Sequence, residues 1–157
     1  MGPRQTPFGR LVDRLAPLIT GVTRAHVALY RRTGGKVGHS IPGMPGMLLL
    51  DHVGAKSGAP RTTPLLYFTD GDDLVVVASK GGHPKNPAWF HNLRAHPDTS
   101  VQVRDEVRPV HARVATDAER ARLWPRALET YPPFAGYQER ADEVGRTIPF
   151  VVLVRRP

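Results

Sequence analysis

The chain has 157 residues, no cysteine, and 22 Lys+Arg against 14 Asp+Glu, a formal net charge of +8. That length and a hydrophobic content of 40% suit one domain with a real core, and the lack of cysteine excludes disulfides, thiolate metal sites and Cys nucleophiles. No apolar run approaches the ~18 residues of a membrane span and the first residues lack a signal-peptide core, so a cytoplasmic protein is expected, with a charge that attracts something anionic.

Residues 1–7 read as a loose tail, in which Met1-Gly2 and Thr6 formally fit a myristoylation pattern against which Pro3 counts. From Phe8 to Tyr30, apolar positions such as Leu11, Leu15, Leu18 and Val22 recur at helical spacing. Pro17 is expected to divide this run into two helices and Gly34-Gly35 to end it. Arg10, Arg14, Arg24, Arg31 and Arg32 make it amphipathic. Packing on the domain's own core is the commoner use of such a helix; leaning on a membrane surface is the other. Residues 1–33 are therefore set apart from a domain at 34–157.

Three consecutive antiparallel strands are predicted next: Met47–Val53, Arg61–Thr69 and Leu74–Ala78, the last two joined by an Asp70-Gly71 hairpin turn that supplies positive φ. A helix is expected to start at Asn86-Pro87, with Asn as N-cap and Pro at the first position. Val101–Arg104 and Val107–Ala115 alternate apolar and polar about a turn at Asp105-Glu106. Thr116-Asp117-Ala118-Glu119 has the form of a capping box and opens a helix toward Tyr131, with a break expected near Pro125. Ile148–Val154 is an apolar strand suited to the middle of a sheet. Six mostly antiparallel strands with flanking helices predict an α+β fold in which the sheet closes into a barrel, since closure removes exposed edges.

Sharp catalytic motifs are absent: there is no Walker loop, G-x-S-x-G elbow or H-E-x-x-H, and His91 and His96 lie five apart, on different sides of a helix. No metal site is expected. The chemistry instead concentrates in two basic, glycine-bearing loops that each follow a strand. One is Lys56-Ser57-Gly58 with Arg61; the other is Ser79-Lys80-Gly81-Gly82, followed by Lys85 and a helix N-terminus. Each alone is also how any chain turns. Together they could clamp a phosphodiester, with Arg61 bidentate, the lysines as point charges and the helix dipole adding to both. Trp89, Phe90, Tyr131, Phe134 and Tyr137 are either core or the walls of a site for a flat conjugated ring.

The pattern LLLDHVGAKSGAPRTTPLLYFTDGDDLVVVASKGGHPKNPAWFHNLRAHPDTSVQV resembles the deazaflavin-dependent nitroreductase family of actinobacteria, and the resemblance covers roughly residues 34–154. The G-x-K-S-G-x-x-R and A-S-K-G-G…K-N-P-x-W-x-x-N-L motifs carry it, together with TYPPFAGYQ before TIPFVVLV. It implies a split β-barrel of the flavin-reductase and pyridoxamine-phosphate-oxidase type that uses the reduced 8-hydroxy-5-deazaflavin, coenzyme F-420. By the same resemblance, Lys56, Ser57 and Arg61 would hold the coenzyme's phosphate and part of its acidic tail, with Pro64 lining the ring pocket. Ser79, Lys80 and Gly81 would meet the ring and its side chain, while Asn86, Pro87, Trp89 and Asn92 shape the pocket at the helix start. Tyr131, Phe134 and Tyr137 would cover the substrate, with Ser79, Tyr131 and Tyr137 as the catalytic hydroxyls. The family's nitroreductase carries Tyr at the position of Phe134, which weakens the case for nitroimidazole reduction by this chain.

The function so implied is hydride transfer from the reduced deazaflavin to an electron-poor small molecule: a quinone, an enone or a nitroaromatic. Flavin mononucleotide in the same barrel is the nearest alternative, because basic loops would serve either phosphate. A non-catalytic binder of an anionic ligand follows, and a nucleic-acid partner ranks last, since most aromatics fall in helices or apolar runs. Related barrels often pair, which leaves a homodimer open, as it does membrane contact through the first helix.

Overall fold

A computed structural model describes residues 6–157. The Met1-Gly2 start with its myristoylation pattern lies outside the described residues. The elements in chain order are α1 (Pro7–Thr33), β1 (Met47–Val53), β2 (Pro60–Leu66), β3 (Phe68–Asp70), β4 (Asp73–Val77), a 3-10 turn (Lys80–Gly82), α2 (Ala88–Ala95), β5 (Asp98–Val103), β6 (Glu106–Val114), α3 (Asp117–Thr130), α4 (Phe134–Asp142) and β7 (Phe150–Arg155).

The strands form one sheet in the order β2-β1-β5-β6-β7-β4-β3, with every neighbouring pair antiparallel. Its two edge strands, β2 and β3, are consecutive in the chain. The sheet therefore curls back on itself and stays open along the β2/β3 seam, which makes the expected barrel a split one.

There are seven strands rather than six because the expected strand 61–69 divides at Tyr67. Leu66 and Leu65 pack into different cores on the two sides of the sheet. Tyr67 is held at the corner by its N–H to Gly46 O (3.3 Å) and by its hydroxyl at 3.0 Å from His39 Nε2. Hence β2 pairs with β1, β3 pairs with β4, and the predicted run of three paired neighbours is not formed.

Two cores result from the period-2 alternation of the strands. Leu48, Leu50, Leu74, Val76, Val101 and Leu153 fill the barrel, closed at one end by Trp89, Phe90 and Leu93 of α2. Val75, Val77 and Phe150 point outward and are covered by Leu123, Ala127, Phe134 and Ala141 of α3 and α4. β4 and β7 are thus buried on both faces, which is why they read as unbroken apolar runs.

Both internal prolines stay inside their helices. α1 is a single helix of 27 residues with Pro17 in it, and α3 contains Pro125. Each proline is exposed, so the carbonyl it deprives of a partner can turn to water instead of ending the helix. Thr6 caps α1, accepting from Gly9 N at 3.1 Å, so the helix begins at Pro7, the last residue of the predicted tail. Thr116 caps α3 as expected, but Glu119 turns its carboxylate to Arg113 (2.8 Å) and does not complete a capping box.

Candidate functional site

The β1–β2 hairpin loop, residues 54–59, is shaped by its own short side chains. Ser57 Oγ accepts from Ala59 N at 3.2 Å, and a Cβ on Gly54 would stand 2.4 Å from that oxygen. The Ser57 hydroxyl keeps its proton free to donate. Asn92, from α2, holds the loop from inside: its Oδ1 accepts from Ala55 N at 2.9 Å, and its Nδ2 lies 2.9 Å from His52 Nδ1. His52 Nε2 in turn meets Thr63 Oγ1 at 2.9 Å. Burial, with the charge of Arg61 adding, holds the His52 imidazole below its usual range, so it is neutral and accepts at Nδ1.

The second loop is pinned by a residue that no motif announced. Arg146 Nη1 donates to the carbonyls of Ser79 (3.0 Å) and His83 (2.6 Å), its Nε donates to Asn86 Oδ1 (2.9 Å), and its Nη2 donates to Ala78 O. Burial lowers this guanidinium to about 10, and it remains charged at neutral pH. Asn86 is therefore committed to Arg146 rather than capping α2, whose N-cap is Pro87 with no side-chain bond. The same loop turns through three successive left-handed residues, Lys80 (φ 46°), Gly81 (60°) and Gly82 (81°). Only glycine fits at position 82, since a Cβ would meet Tyr137 O at 2.5 Å. Lys80 has a Cβ and bears its positive φ as local strain beside the cleft.

These loops flank two clefts that share β2 and the N-terminus of α2. The first, about 760 Å³, is lined by Lys56, Ser57, Arg61 and Asn92 with Ala88 and His91. The second, about 370 Å³, is largely apolar and is lined by Pro64, Ser79, Lys80, Pro87, Trp89 and Phe134 among others. Of the fourteen residues that the resemblance assigns to cofactor or substrate, ten thus border one cleft or the other. Four border neither: Gly81 lies under the Phe8 ring, Asn86 is held by Arg146, and Tyr131 and Tyr137 stand behind Phe134. Lys85, expected beside Lys80, borders neither cleft. The two tyrosine hydroxyls are 3.3 Å apart, and burial, then the hydrogen bond to Tyr131, pushes Tyr137 up to about 12.

The donor set suits a phosphate-bearing, flat, conjugated group. Lysine, arginine and a free serine proton face one cleft, while a proline, a tryptophan edge and a phenylalanine wall the other. Among the described residues, no three His, Asp or Glu side chains gather as a metal site.

A family model described as F420H(2)-dependent quinone reductase matches residues 22–155. A Mycobacterium tuberculosis protein named F420H(2)-dependent quinone reductase Rv1261c is 46% identical over 136 residues, which is 85% of this chain and 89% of the relative. Among solved structures, an "F420-H2 Dependent Reductase (FDR-A)" is similar with a TM-score of 0.61 and 41% identity, over 68% of this chain and 92% of that one. A chain described as a domain-swapped dimer is similar with a TM-score of 0.64 and 32% identity, over 94% of this chain and 99% of that one.

Proposed function

This chain belongs to the F420H(2)-dependent quinone reductase family, and on that basis we propose how its two clefts hold the reduced deazaflavin coenzyme and deliver its hydride. The protein is an oxidoreductase that passes a hydride from that coenzyme to a quinone; flavin mononucleotide is not the favoured cofactor. The observation that carries the assignment of sites is the pairing of a basic cleft with an apolar, aromatic one along the same strand and helix start.

Lys56, Arg61 and the Ser57 hydroxyl bind the phosphate, the arginine in a bidentate fork. Pro64, Trp89 and Pro87 bound the slot for the ring, and the Ser79 hydroxyl faces it from the end of β4. When bound, the reduced coenzyme supplies a hydride, that is, two electrons and a proton, from ring carbon. The quinone that receives it needs one further proton on oxygen to become the hydroquinone. Tyr137, its hydroxyl raised to about 12 by burial and the hydrogen bond to Tyr131, is protonated at neutral pH, as an ordinary phenol also is. Ser79, which lines the ring cleft, is the hydroxyl residue at hand for that oxygen; the Tyr131/Tyr137 hydroxyl pair stands behind Phe134 and would supply the proton only where that wall moves aside. Replacing Tyr131 by Phe and finding turnover unchanged would remove this role.

Two partner assignments belong to the same proposal. Leu11, Leu15, Leu18 and Val22 form an exposed apolar stripe on α1, with Leu18 at 68% exposure, beside Arg10 and Arg14. Among the described residues no helix is long and apolar enough to cross a membrane, so such contact would be with its surface. A homodimer is supported by the domain-swapped relative. The experiment for the cofactor sites is a fluorescence titration with the deazaflavin coenzyme and, in parallel, flavin mononucleotide. Tight binding of the first alone, weakened at least tenfold in Lys56→Ala and Arg61→Ala, supports the assignment; wild-type affinity in both variants overturns it.

A further inference from the structure

One face of α1 is apolar and turned to solvent. Leu11, Leu15, Leu18, Val22, Ala25 and Leu29 follow one another at spacings of 4, 3, 4, 3 and 4 residues, and all six are exposed, Val22 at 65%. None of them lines the groove between α1 and β2, where the helix contributes Ile19, Thr20, Thr23, Arg24, Val27 and Ala28. None of them anchors the helix either. That falls to the buried Tyr30, whose hydroxyl donates to Met47 O and accepts from Arg104 N, each at 2.9 Å.

Alternating steps of 4 and 3 have the 3.5-residue period of a coiled-coil seam. A helix face that packs on a core is broader; a strict seam of this width suits another helix. The stripe is also its own complement. Laid antiparallel about a two-fold axis between Leu18 and Val22, it sets Leu18 against the partner's Val22, Leu15 against the partner's Ala25 and Leu11 against the partner's Leu29. Every layer is filled and the same patch serves both copies. The flanks agree with this. Arg10, Arg24 and Arg31 lie at heptad positions remote from the seam, and at Gly21, beside it, an added Cβ would meet nothing within 4 Å, so a second helix can come close. Arg14 is the one arginine on the flank. Two copies of it would sit side by side in a parallel pair, and stand about 18 Å apart along the axis in the antiparallel one, which also opposes the helix dipoles.

We propose that a second copy of this chain covers the stripe, α1 against α1 and antiparallel. The inference rests on the homodimer reading above and commits it to one face. The contact is about 27 Å long and one helix wide, small for a specific interface, so the pair is weak, with a dissociation constant on the order of 1–100 µM. Membrane-surface contact through the same residues requires the pair to part.

Sedimentation equilibrium of the full chain from about 5 to about 500 µM reads the pair, and wild type is dimeric at the upper end. Leu18→Glu and Val22→Glu each bring like charges to its centre and weaken it at least tenfold, while both variants bind the deazaflavin coenzyme as wild type does. The chain has no cysteine, so a mixture of Leu15→Cys and Ala25→Cys reads the register. On oxidation with diamide, the disulfide between the two variants exceeds either self-disulfide several-fold; this readout decides alone if a glutamate variant fails to fold. A dimer unchanged in both glutamate variants would mean that the copies meet elsewhere, which overturns this interface and leaves the homodimer reading standing. An excess of self-disulfides would mean a parallel pair and overturns the proposal likewise. Wild type that stays monomeric at about 500 µM overturns both; if Leu18→Glu then loses binding to anionic phospholipid vesicles, the stripe belongs to the membrane surface.

Discussion

Replacing Arg146 by methionine removes the clamp on residues 78–86. The guanidinium makes four hydrogen bonds there, three to main-chain carbonyls and one to Asn86. At about 1.5–3 kcal/mol for each bond from a charged donor, the gross contribution is on the order of 6–12 kcal/mol. Against it stands the cost of burying the charge, visible in a pKa lowered from 12.5 to about 10 and amounting to about 3 kcal/mol before discounting for partial exposure. The net loss expected for Arg146→Met is about 3–5 kcal/mol, in line with removing one partner of a buried charged network. Urea denaturation reads the stability, and a fall of roughly 10 °C or more in melting temperature accompanies it. Deazaflavin titration reads the site, because Ser79 and Lys80 lose their support. Arg146→Lys recovers little, since an ammonium cannot reach four acceptors spread around a planar fork. A methionine variant within about 0.5 kcal/mol of wild type, with unchanged affinity, would refute the reasoning.

Three further outcomes follow from the same geometry. Asn92→Leu strands the Ala55 N–H and His52 Nδ1, costs about 2–3 kcal/mol in denaturant unfolding, and weakens coenzyme binding through the loosened 54–59 loop. The glycines of the two basic loops should differ: Gly82→Ala costs about 2–4 kcal/mol, because φ is +81° and the new Cβ meets Tyr137 O, whereas Gly58→Ala, at φ +67° with nothing within 4 Å, costs about 1 kcal/mol; paired melting curves compare them. Burial holds His52 and His83 below their usual range, so both fold neutral while the unfolded chain takes up protons near pH 6.5. Their contribution is whole above that pH and is lost as pH falls toward their depressed native values; the urea midpoint should drop between pH 7.5 and 5.5, and a flat profile would contradict this.

The sequence signals that pointed to the candidate clefts are the local ones. Val75 and Val77 alternate with Leu74 and Val76, so strand and burial are legible together, and the hairpin at Asp70-Gly71 follows from backbone chemistry alone. Lys56, Ser79 and Lys80 come to adjacent clefts from short loops that follow strands, and Arg61 from the start of β2. What escaped depends on contacts distant in sequence. Tyr67 breaks a strand because His39 holds it from 28 residues away. Asn86 and Pro87 promise a cap, yet Arg146 takes the Asn side chain from 60 residues away. Pro17 and Pro125 read as breaks because the sequence does not reveal that solvent can satisfy the carbonyls they free. Arg146 itself, one basic residue among 22, carries no local signature.

The central claim is tested most directly by mixing the protein with the reduced deazaflavin coenzyme and a quinone without air, and following the return of the oxidised deazaflavin absorbance. Oxidation that requires the protein, consumes one quinone per coenzyme and slows sharply in Lys56→Ala is the predicted result. Tight binding of the reduced coenzyme with no oxidation by any quinone, or turnover with reduced flavin mononucleotide alone, would contradict it.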